Sequence, residues 1–342
     1  FGRPPALLGR MPKHRRLRFL LVLAGGSVAA FLVVWPQGVG IHRLPLIANA
    51  ISLRAVLALG FGVLALLVAG AAVWRRRWGV AAALAIALAA ASVGNGAVLL
   101  TRGGGAAVQP GELTIAAWNT YGGSVSPETI ARMVRETEAD VVSLPETDAI
   151  AAAEVVGILD REGIPMTHDT VAAAPDGETI PTSILISREL GDYALDTGVG
   201  STVGLPSGVW RPVDGSGPIL VAAHPMPPLP GVTDRWERGL EWIAGRCAES
   251  QVIVAGDLNS TVDHFSGFGR GGGLIGGCRD AAADAGSAAA GTWPVRLPVG
   301  LASPIDHVLV GSAWRVNGFA VLTDFDDAGS DHRPIVATLS RG

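Results

Sequence analysis

Three long stretches of this 342-residue chain contain no Asp, Glu, Lys, Arg or His. Residues 19–35, 55–74 and 79–100 have 17, 20 and 22 residues, and each is close to the length that spans the hydrocarbon core of a bilayer. A cleaved signal peptide is the alternative for the first stretch, but no small-residue cleavage site closes it and two further stretches follow. The sequence therefore predicts a membrane anchor with three transmembrane helices over residues 1–102, with Met11 as an alternative natural start.

Lys and Arg flank these stretches unevenly, and positive residues are retained on the cytoplasmic side of a membrane. Counted from Arg10 onward, eight of them lie before the first stretch or between the second and third, whereas three lie in the first loop or just after the third stretch. The N-terminus is therefore expected in the cytoplasm and everything after residue 100 outside it, although one misjudged span would invert this orientation. The two sets are Arg10, Lys13, Arg15, Arg16, Arg18, Arg75, Arg76 and Arg77 against Arg43, Arg54 and Arg102.

Charge divides the chain sharply at residue 102. The part before it holds 12 of the 26 basic residues and no acid, so the remainder has 14 basic residues against all 30 acids, a net charge of −16. Such a surface disfavours nonspecific binding of a nucleic-acid backbone. A nuclease is not excluded, because a bound metal ion can reverse the sign of the local field.

Both cysteines of the chain, Cys247 and Cys278, lie in this second part. Outside the cytoplasm they can form a disulfide. Two buried free thiols are the alternative.

After a Gly-rich segment at 103–112, expected to be a flexible linker, residues 113–342 alternate between short apolar runs and helical patterns. LTIAAW, DVVSLPE, TSILIS, QVIVAG and PIVATLS are typical of strands. A helix is expected from Ser126-Pro127-Glu128 to about Glu138, because Ser is a favoured N-cap and Pro a favoured first helical residue. Many strands with few helices and no doubly wound repeat predict an α+β domain whose sheets are covered by helices.

Polar residues suited to catalysis recur where these strands end. An acid, amide or histidine at one such position is usually just part of a turn, but the ends of neighbouring strands can converge on one site. The residues concerned are Asn119, Glu146, His224, Asp257, Asn259, Asp306, Asp331 and His332. His307, next to Asp306, faces the opposite side of its strand and is expected to be structural.

The order of the motifs W-N-T, L-P-E-T, A-H-P-x-P-P, G-D-L-N, I-D-H-V-L-V and S-D-H-R-P resembles that of the endonuclease/exonuclease/phosphatase superfamily. The resemblance covers about residues 113–340 and implies the deoxyribonuclease-I-like fold, a four-layer α/β/β/α sandwich of two packed sheets flanked by helices. The three-span leader and the H-P-x-P-P motif are similar to those of the bacterial membrane-anchored branch.

The resemblance implies a Mg²⁺ ion, with Mn²⁺ as a substitute. Glu146 is the leading ligand, since a hard cation prefers carboxylate oxygen. Asn119 and Asp331 would complete the protein's share, directly or through water, and Asn119 would also contact substrate. Whether one or two ions act is left open.

The same resemblance implies the catalytic roles. Asp257 would orient or deprotonate the attacking water, while Asn259 and His332 would contact the phosphate. Asp306 would fix the tautomer of His332 and raise its pKa. His224 would be either the leaving-group acid or a phosphate contact, and which group is the base stays open.

The expected function is that of a membrane-anchored, extracytoplasmic, metal-dependent phosphodiesterase or phosphatase, acting on phospholipid headgroups or other envelope phosphoesters. A surface-anchored endonuclease or exonuclease is one alternative, and a catalytically inactive binding module is another. The branch that cuts abasic DNA carries a phenol in its site, and Tyr121 follows Asn119 too closely to fill that position. No protein partner is predicted.

Overall fold

The computed structural model describes residues 12–76, 79–105, 108–174 and 179–342. The chain divides into two compact units. One contains the residues up to His42 together with Leu53–Thr101, and the other contains Arg43–Ser52 together with Arg102–Gly342. The second unit is therefore discontinuous in sequence, because a short segment from the first hundred residues belongs to it.

The first unit is helical. Its three helices are long and apolar enough to cross a membrane by length and composition, as the three uncharged stretches predict. They are α1 (Lys13–Val34), α3 (Arg54–Trp74) and α4 (Gly79–Arg102, whose last residue belongs to the second unit).

Small residues and one buried polar contact join these helices. Gly26 lies directly against the methyl group of Ala87, where a larger side chain would collide. The Arg54 guanidinium donates to Asn95 Oδ1 at 2.8 Å and to the Val34 carbonyl at 3.1 Å. Close packing of small residues with buried hydrogen bonds is how helices associate in a membrane.

The second unit contains twelve strands in two six-stranded sheets, counted over the described residues. The first sheet has the order β11-β12-β1-β2-β4-β3 and the second β5-β6-β7-β8-β10-β9. The strands are β1 (Leu113–Ala117), β2 (Val141–Pro145), β3 (Met166–Val171), β4 (Thr182–Ser187), β5 (Tyr193–Leu195), β6 (Gly208–Pro212), β7 (Ile219–Ala223), β8 (Val252–Asp257), β9 (Arg279–Asp280), β10 (Asp306–Val310), β11 (Trp314–Val321) and β12 (Ile335–Arg341).

Helices cover the outer faces of both sheets. Three apolar clusters lie between the sheets, between the first sheet and α5 and α6, and between the second sheet and α7. This is the four-layer α/β/β/α sandwich that the motif series predicts. The helices of this unit are α2 (Pro45–Ser52), α5 (Pro127–Thr137), α6 (Ala149–Arg161), α7 (Thr233–Arg246) and α8 (Ala281–Asp284).

Local signals explain where α5 and α6 begin. The Ser126 hydroxyl accepts the backbone N–H of Thr129 at 3.3 Å, and the Asp148 carboxylate accepts that of Ala151 at 2.8 Å. Each cap satisfies one of the N–H groups that a helix start leaves unpaired. The predicted start of α5 is confirmed to the residue.

Cys247 follows α7, and Cys278 precedes β9. The two residues are bridged, with their Cα atoms 5.2 Å apart. Of the two alternatives for these cysteines, the structure therefore has the disulfide.

The segment predicted as a linker hydrogen-bonds to this unit at both of its ends. The Gly103 carbonyl accepts the N–H of Ala289 at 2.9 Å, and the N–H of Glu112 donates to the Leu339 carbonyl at 2.7 Å. Glycine-rich composition indicates conformational freedom of an isolated chain, but here both ends of the segment are hydrogen-bonded to neighbouring backbone groups. The intervening Ala106 and Ala107 lie outside the described residues.

Candidate active site

Four of the expected site residues lie at one edge of the first sheet because of how its strands run. β1 and β2 are parallel, so Asn119 and Glu146, which follow them, lie at the same edge. β12 is antiparallel to β1, so Asp331 and His332, which precede it, lie at that edge too. Strand direction therefore brings together residues up to 213 positions apart.

The second sheet supplies the other four in the same way. β7 and β8 are parallel, which places His224 beside the end of β8. In the antiparallel pair of β8 and β10, Asp257 is directly opposite Asp306. Gly256 is required here, because its φ is +146° and an added Cβ would collide with the Ala223 carbonyl. Asn259 follows two residues after Asp257.

A buried carboxylate–histidine pair joins the two sheets. The His332 Nδ1 donates to Asp306 Oδ2 at 2.9 Å. Burial by itself would lower the pKa of His332, but the charges of Asp306 and Asp257 raise it to about 10. The imidazolium is therefore the stable form, and its Nε2 lies 3.7 Å from Asp257 Oδ2.

Asp257 is buried among hydrogen-bond donors. Its Oδ2 accepts from Asn119 Nδ2 at 3.0 Å, and its Oδ1 accepts from the backbone N–H of Asn259 at 2.8 Å. Burial raises its pKa to about 7, although the charge of His332 opposes this. A carboxyl with a pKa near neutrality is well matched to accept a proton from water.

His224 differs from His332 although both rings are buried. Burial and the charge of His332 lower the pKa of His224 to about 3, so the ring is neutral. Its Nε2 lies 3.8 Å from both Glu146 Oε1 and Asp257 Oδ2, and among the described residues its Nδ1 has no hydrogen-bond partner. A neutral ring can donate one hydrogen bond.

Two site residues have left-handed backbone conformations. The φ angle is +62° at Glu146 and +47° at Asn259. This is common for Asn but unfavourable for Glu, and such strain is concentrated at functional sites. The conformation places Glu146 Oε1 at 3.0 Å from Asn119 Nδ2, so one amide holds both Glu146 and Asp257.

Two of the three residues expected to hold a divalent cation, Glu146 and Asp331, fit that role. Asp331 Oδ2 accepts from Trp293 Nε1 at 2.8 Å, whereas among the described residues its Oδ1 has no hydrogen-bond partner. Glu146 supplies a second accessible carboxylate, and carboxylate oxygens of Asp257 and Asp306 also lie within 4.8 Å of each other. Such an oxygen-rich group suits a hard divalent ion.

Asn119, the third residue expected to bind the metal ion, has its side-chain oxygen engaged by the protein. Its Oδ1 accepts the backbone N–H of Tyr121 at 2.9 Å, while its Nδ2 faces the two carboxylates. The amide therefore hydrogen-bonds the carboxylates in this structure.

Seven of the eight expected site residues, all except Asp306, line a cavity of about 340 Å³. Its lining includes apolar side chains that no motif indicated, because single apolar residues in loops carry no sequence signal. Trp293, which holds Asp331, was missed for the same reason. The lining residues without a predicted role are Tyr121, Ile180 and Leu205, together with Met226 and Pro227, which lie within the H-P-x-P-P motif.

Several solved structures resemble the chain. They include a humanized TDP2 from D. rerio (17% identity, covering 66% of this chain and 98% of that one, TM-score 0.48). Another is an endonuclease/exonuclease/phosphatase from Beutenbergia cavernae (19% identity, covering 67% of this chain and 72% of that one, TM-score 0.48). A third is a mannosyl-6-phosphatase from Bacteroides thetaiotaomicron (16% identity, covering 67% of this chain and 99% of that one, TM-score 0.43).

Sequence comparison assigns the family. The pattern of the endonuclease/exonuclease/phosphatase family matches residues 116–332, which is well over half of the chain and includes every site residue described above. No curated protein matches the sequence. The chain belongs to this family, whose members hydrolyse phosphoesters with the help of divalent metal ions.

Proposed function

We propose that this protein is a membrane-anchored, Mg²⁺-dependent phosphoester hydrolase whose catalytic domain is extracytoplasmic. The observation that carries the proposal is the buried pair of His332 and Asp306, whose Nδ1 and Oδ2 atoms are 2.9 Å apart. The pair lies beside Asp257 at the junction of the two sheets. A binding module needs neither a stabilised imidazolium nor a carboxyl whose pKa is raised to about 7. Perturbed groups clustered in one cavity are typical of catalysis.

The side chains divide the hydrolysis between them. Asp257 orients the attacking water and accepts its proton as the new P–O bond forms, while the bond to the leaving oxygen breaks and that oxygen takes a proton from solvent water. His332, held charged by Asp306, stabilises the negative charge that develops on the phosphate oxygens. Asn259 and neutral His224 donate hydrogen bonds to the phosphate, which aligns it with the water.

Glu146 and Asp331 would hold the divalent ion, with Asn119 fixing the Glu146 carboxylate. When bound, the ion offsets the charge of the phosphate and polarises its P–O bonds. The acids of the site would otherwise repel an anionic substrate.

The cavity lining favours a substrate with an apolar group close to its phosphate. Ile180, Leu205 and Met226 line the cavity beside the polar groups, and no Lys or Arg is among its lining residues within the described chain. Nucleic acids are bound largely through basic contacts to their phosphates, which this cavity and an acidic second unit do not offer. A phospholipid or another apolar envelope phosphoester fits better than DNA.

Anchorage and orientation rest on the helices and on flanking charge. The eight-to-three distribution of basic residues favours a cytoplasmic N-terminus, and a disulfide between Cys247 and Cys278 is typical of oxidising compartments. A reporter that is active only outside the cytoplasm should work when fused after Arg102 and fail when fused after Arg77. The reverse pattern would refute this topology.

One activity panel on the full chain tests the chemistry. With Mg²⁺, detergent-solubilised protein should hydrolyse a short-chain phospholipid and bis(p-nitrophenyl) phosphate faster than plasmid DNA. Faster nicking of plasmid would favour the surface nuclease. No turnover of any phosphodiester or phosphomonoester would favour the inactive binding module.

A further inference from the structure

Helix α2 lies between two membrane-spanning candidates in sequence, yet it belongs to the catalytic unit. The segment Arg43–Ser52 groups with residues 102–342. Within α2, Ala48 and Ile51 are buried, and Ala48 is part of the apolar cluster beneath the second sheet. Leu46 on the same helix is 83% exposed. One face of α2 is thus part of the domain core.

The first contact of α2 is with the loop that carries the site histidine. Asn49 Nδ2 donates to the Pro228 carbonyl at 2.8 Å. Three residues earlier in that loop, the Pro225 carbonyl accepts from Asn259 Nδ2 at 3.0 Å. The loop after His224 is therefore held by α2 at one end and by a site residue at the other.

The second contact is with the loop that follows Asn259. His264 Nδ1 accepts the backbone N–H of Thr261 at 2.8 Å, so its Nε2 carries the proton and donates to the Ala48 carbonyl at 3.2 Å. Arg43 donates to the Ser266 carbonyl at 2.6 Å. Its guanidinium also lies 4.1 Å from the centre of the Phe268 ring, within the range of a cation–π contact.

We propose that α2 is a component of the catalytic domain that positions both of these loops, with Asn49 as a positioning residue for the His224 loop. Because α2 is part of the folded domain, the connection between α1 and α3 lies on the same side of the membrane as the active site. The kinetic part of this inference rests on the proposed hydrolase function. The part about sidedness does not.

Sidedness is tested by cysteine labelling in the full chain. Leu46 in α2 and Ile150 in the catalytic domain are similarly exposed, at 83% and 80%, and the two native cysteines are bridged. A membrane-impermeant maleimide should label Leu46→Cys and Ile150→Cys either both in intact cells or both only after permeabilisation. Arg15→Cys should be labelled in the other of these two conditions. Labelling of Leu46→Cys and Ile150→Cys from opposite sides would overturn the inference. Labelling of both only after permeabilisation would uphold it and refute the extracytoplasmic site.

Positioning is tested by an isosteric change with a matched control. Asn49→Asp replaces the donor by a carboxylate facing the Pro228 carbonyl. Asn317 makes the same kind of contact far from the site, donating to the Pro110 carbonyl at 2.9 Å, so Asn317→Asp is the control. We expect Asn49→Asp to lower kcat about fivefold or more, as loss of one hydrogen bond warrants, with little change in KM or melting temperature. Normal kcat in Asn49→Asp, or an equal loss in Asn317→Asp, would overturn the positioning role.

Discussion

The two sheets contribute to the active site in different ways. From the first sheet, the side chains of Glu146 and Asp331 are 21% and 37% exposed. From the second, those of Asp257 and Asp306 are 2% and 0% exposed. Accessible carboxylates can exchange a cation with solvent, whereas buried ones have perturbed pKa values and need a partner inside the protein.

His332 connects the two contributions. It belongs to the first sheet by sequence but is held by Asp306 of the second. A buried charge costs much less free energy when it is paired and hydrogen-bonded. In the proposed mechanism, the first sheet would hold the ion and the second sheet would perform the proton chemistry.

Removal of the divalent ion tests the first sheet and should have the largest effect. Chelation should reduce hydrolysis to background, because the acids then repel the anionic phosphate. Added Mg²⁺ or Mn²⁺ should restore the rate in a phosphodiester assay. Full activity in chelator would remove the ion from the mechanism.

Substitutions at the buried groups test the proton chemistry. Asp257→Asn and His332→Ala should each lower kcat by at least about 100-fold, or roughly 2.7 kcal/mol of transition-state stabilisation. Excess Mg²⁺ should not restore either variant. His168 and Asp192 are exposed and outside the site, so His168→Ala and Asp192→Asn serve as controls. Near-normal rates in both test variants would show that other residues perform the reaction.

Glu146→Gln should behave differently if the comparison holds. The amide keeps the shape of the side chain but removes a charged ligand, so the Mg²⁺ concentration for half-maximal rate should rise by about tenfold, corresponding to about 1.4 kcal/mol. Saturating Mg²⁺ should recover most of kcat. A loss that no concentration of Mg²⁺ relieves would place Glu146 with the buried groups.

The smallest expected effect is on the folding stability contributed by the buried pair of His307 and Asp280 in the second sheet. His307 Nδ1 lies 3.3 Å from Asp280, and Nε2 donates to the Ser260 carbonyl at 2.8 Å. Burial by itself would lower the pKa of His307, but the charge of Asp280 and these hydrogen bonds raise it above its ordinary value. The stabilisation is therefore complete below the unfolded pKa near 6.5 and is lost as pH rises through the folded pKa.

Asp280→Asn tests this linkage while keeping a side chain that can cap α8. The variant should melt below the wild type by a few degrees in mild acid, about 2–4 °C for each kcal/mol in a domain of this size. The gap should narrow as pH rises through the folded pKa. A gap that is constant with pH would mean that His307 is neutral in the folded protein.

Most strands and the capped helix α5 of the catalytic domain could be predicted, because their signals are local. The edge strand β3 was missed, since His168 and its neighbours are exposed and polar and give no alternating pattern. Helix α2 was missed because it is only eight residues long and lies between two apolar stretches. Its place in the domain depends on Pro228 and His264, which are far from it in sequence.

The sequence by itself determined the three apolar helices, the polar residues at strand ends and the order of motifs that indicates the family. These depend on composition and on neighbours a few residues away. Only the tertiary structure decided that His224 is neutral while His332 is charged, and that α2 contacts the loops after His224 and Asn259. Those properties follow from strand pairing, burial and charge separation in space, and Coulomb energies and desolvation depend on distances that sequence separation does not specify.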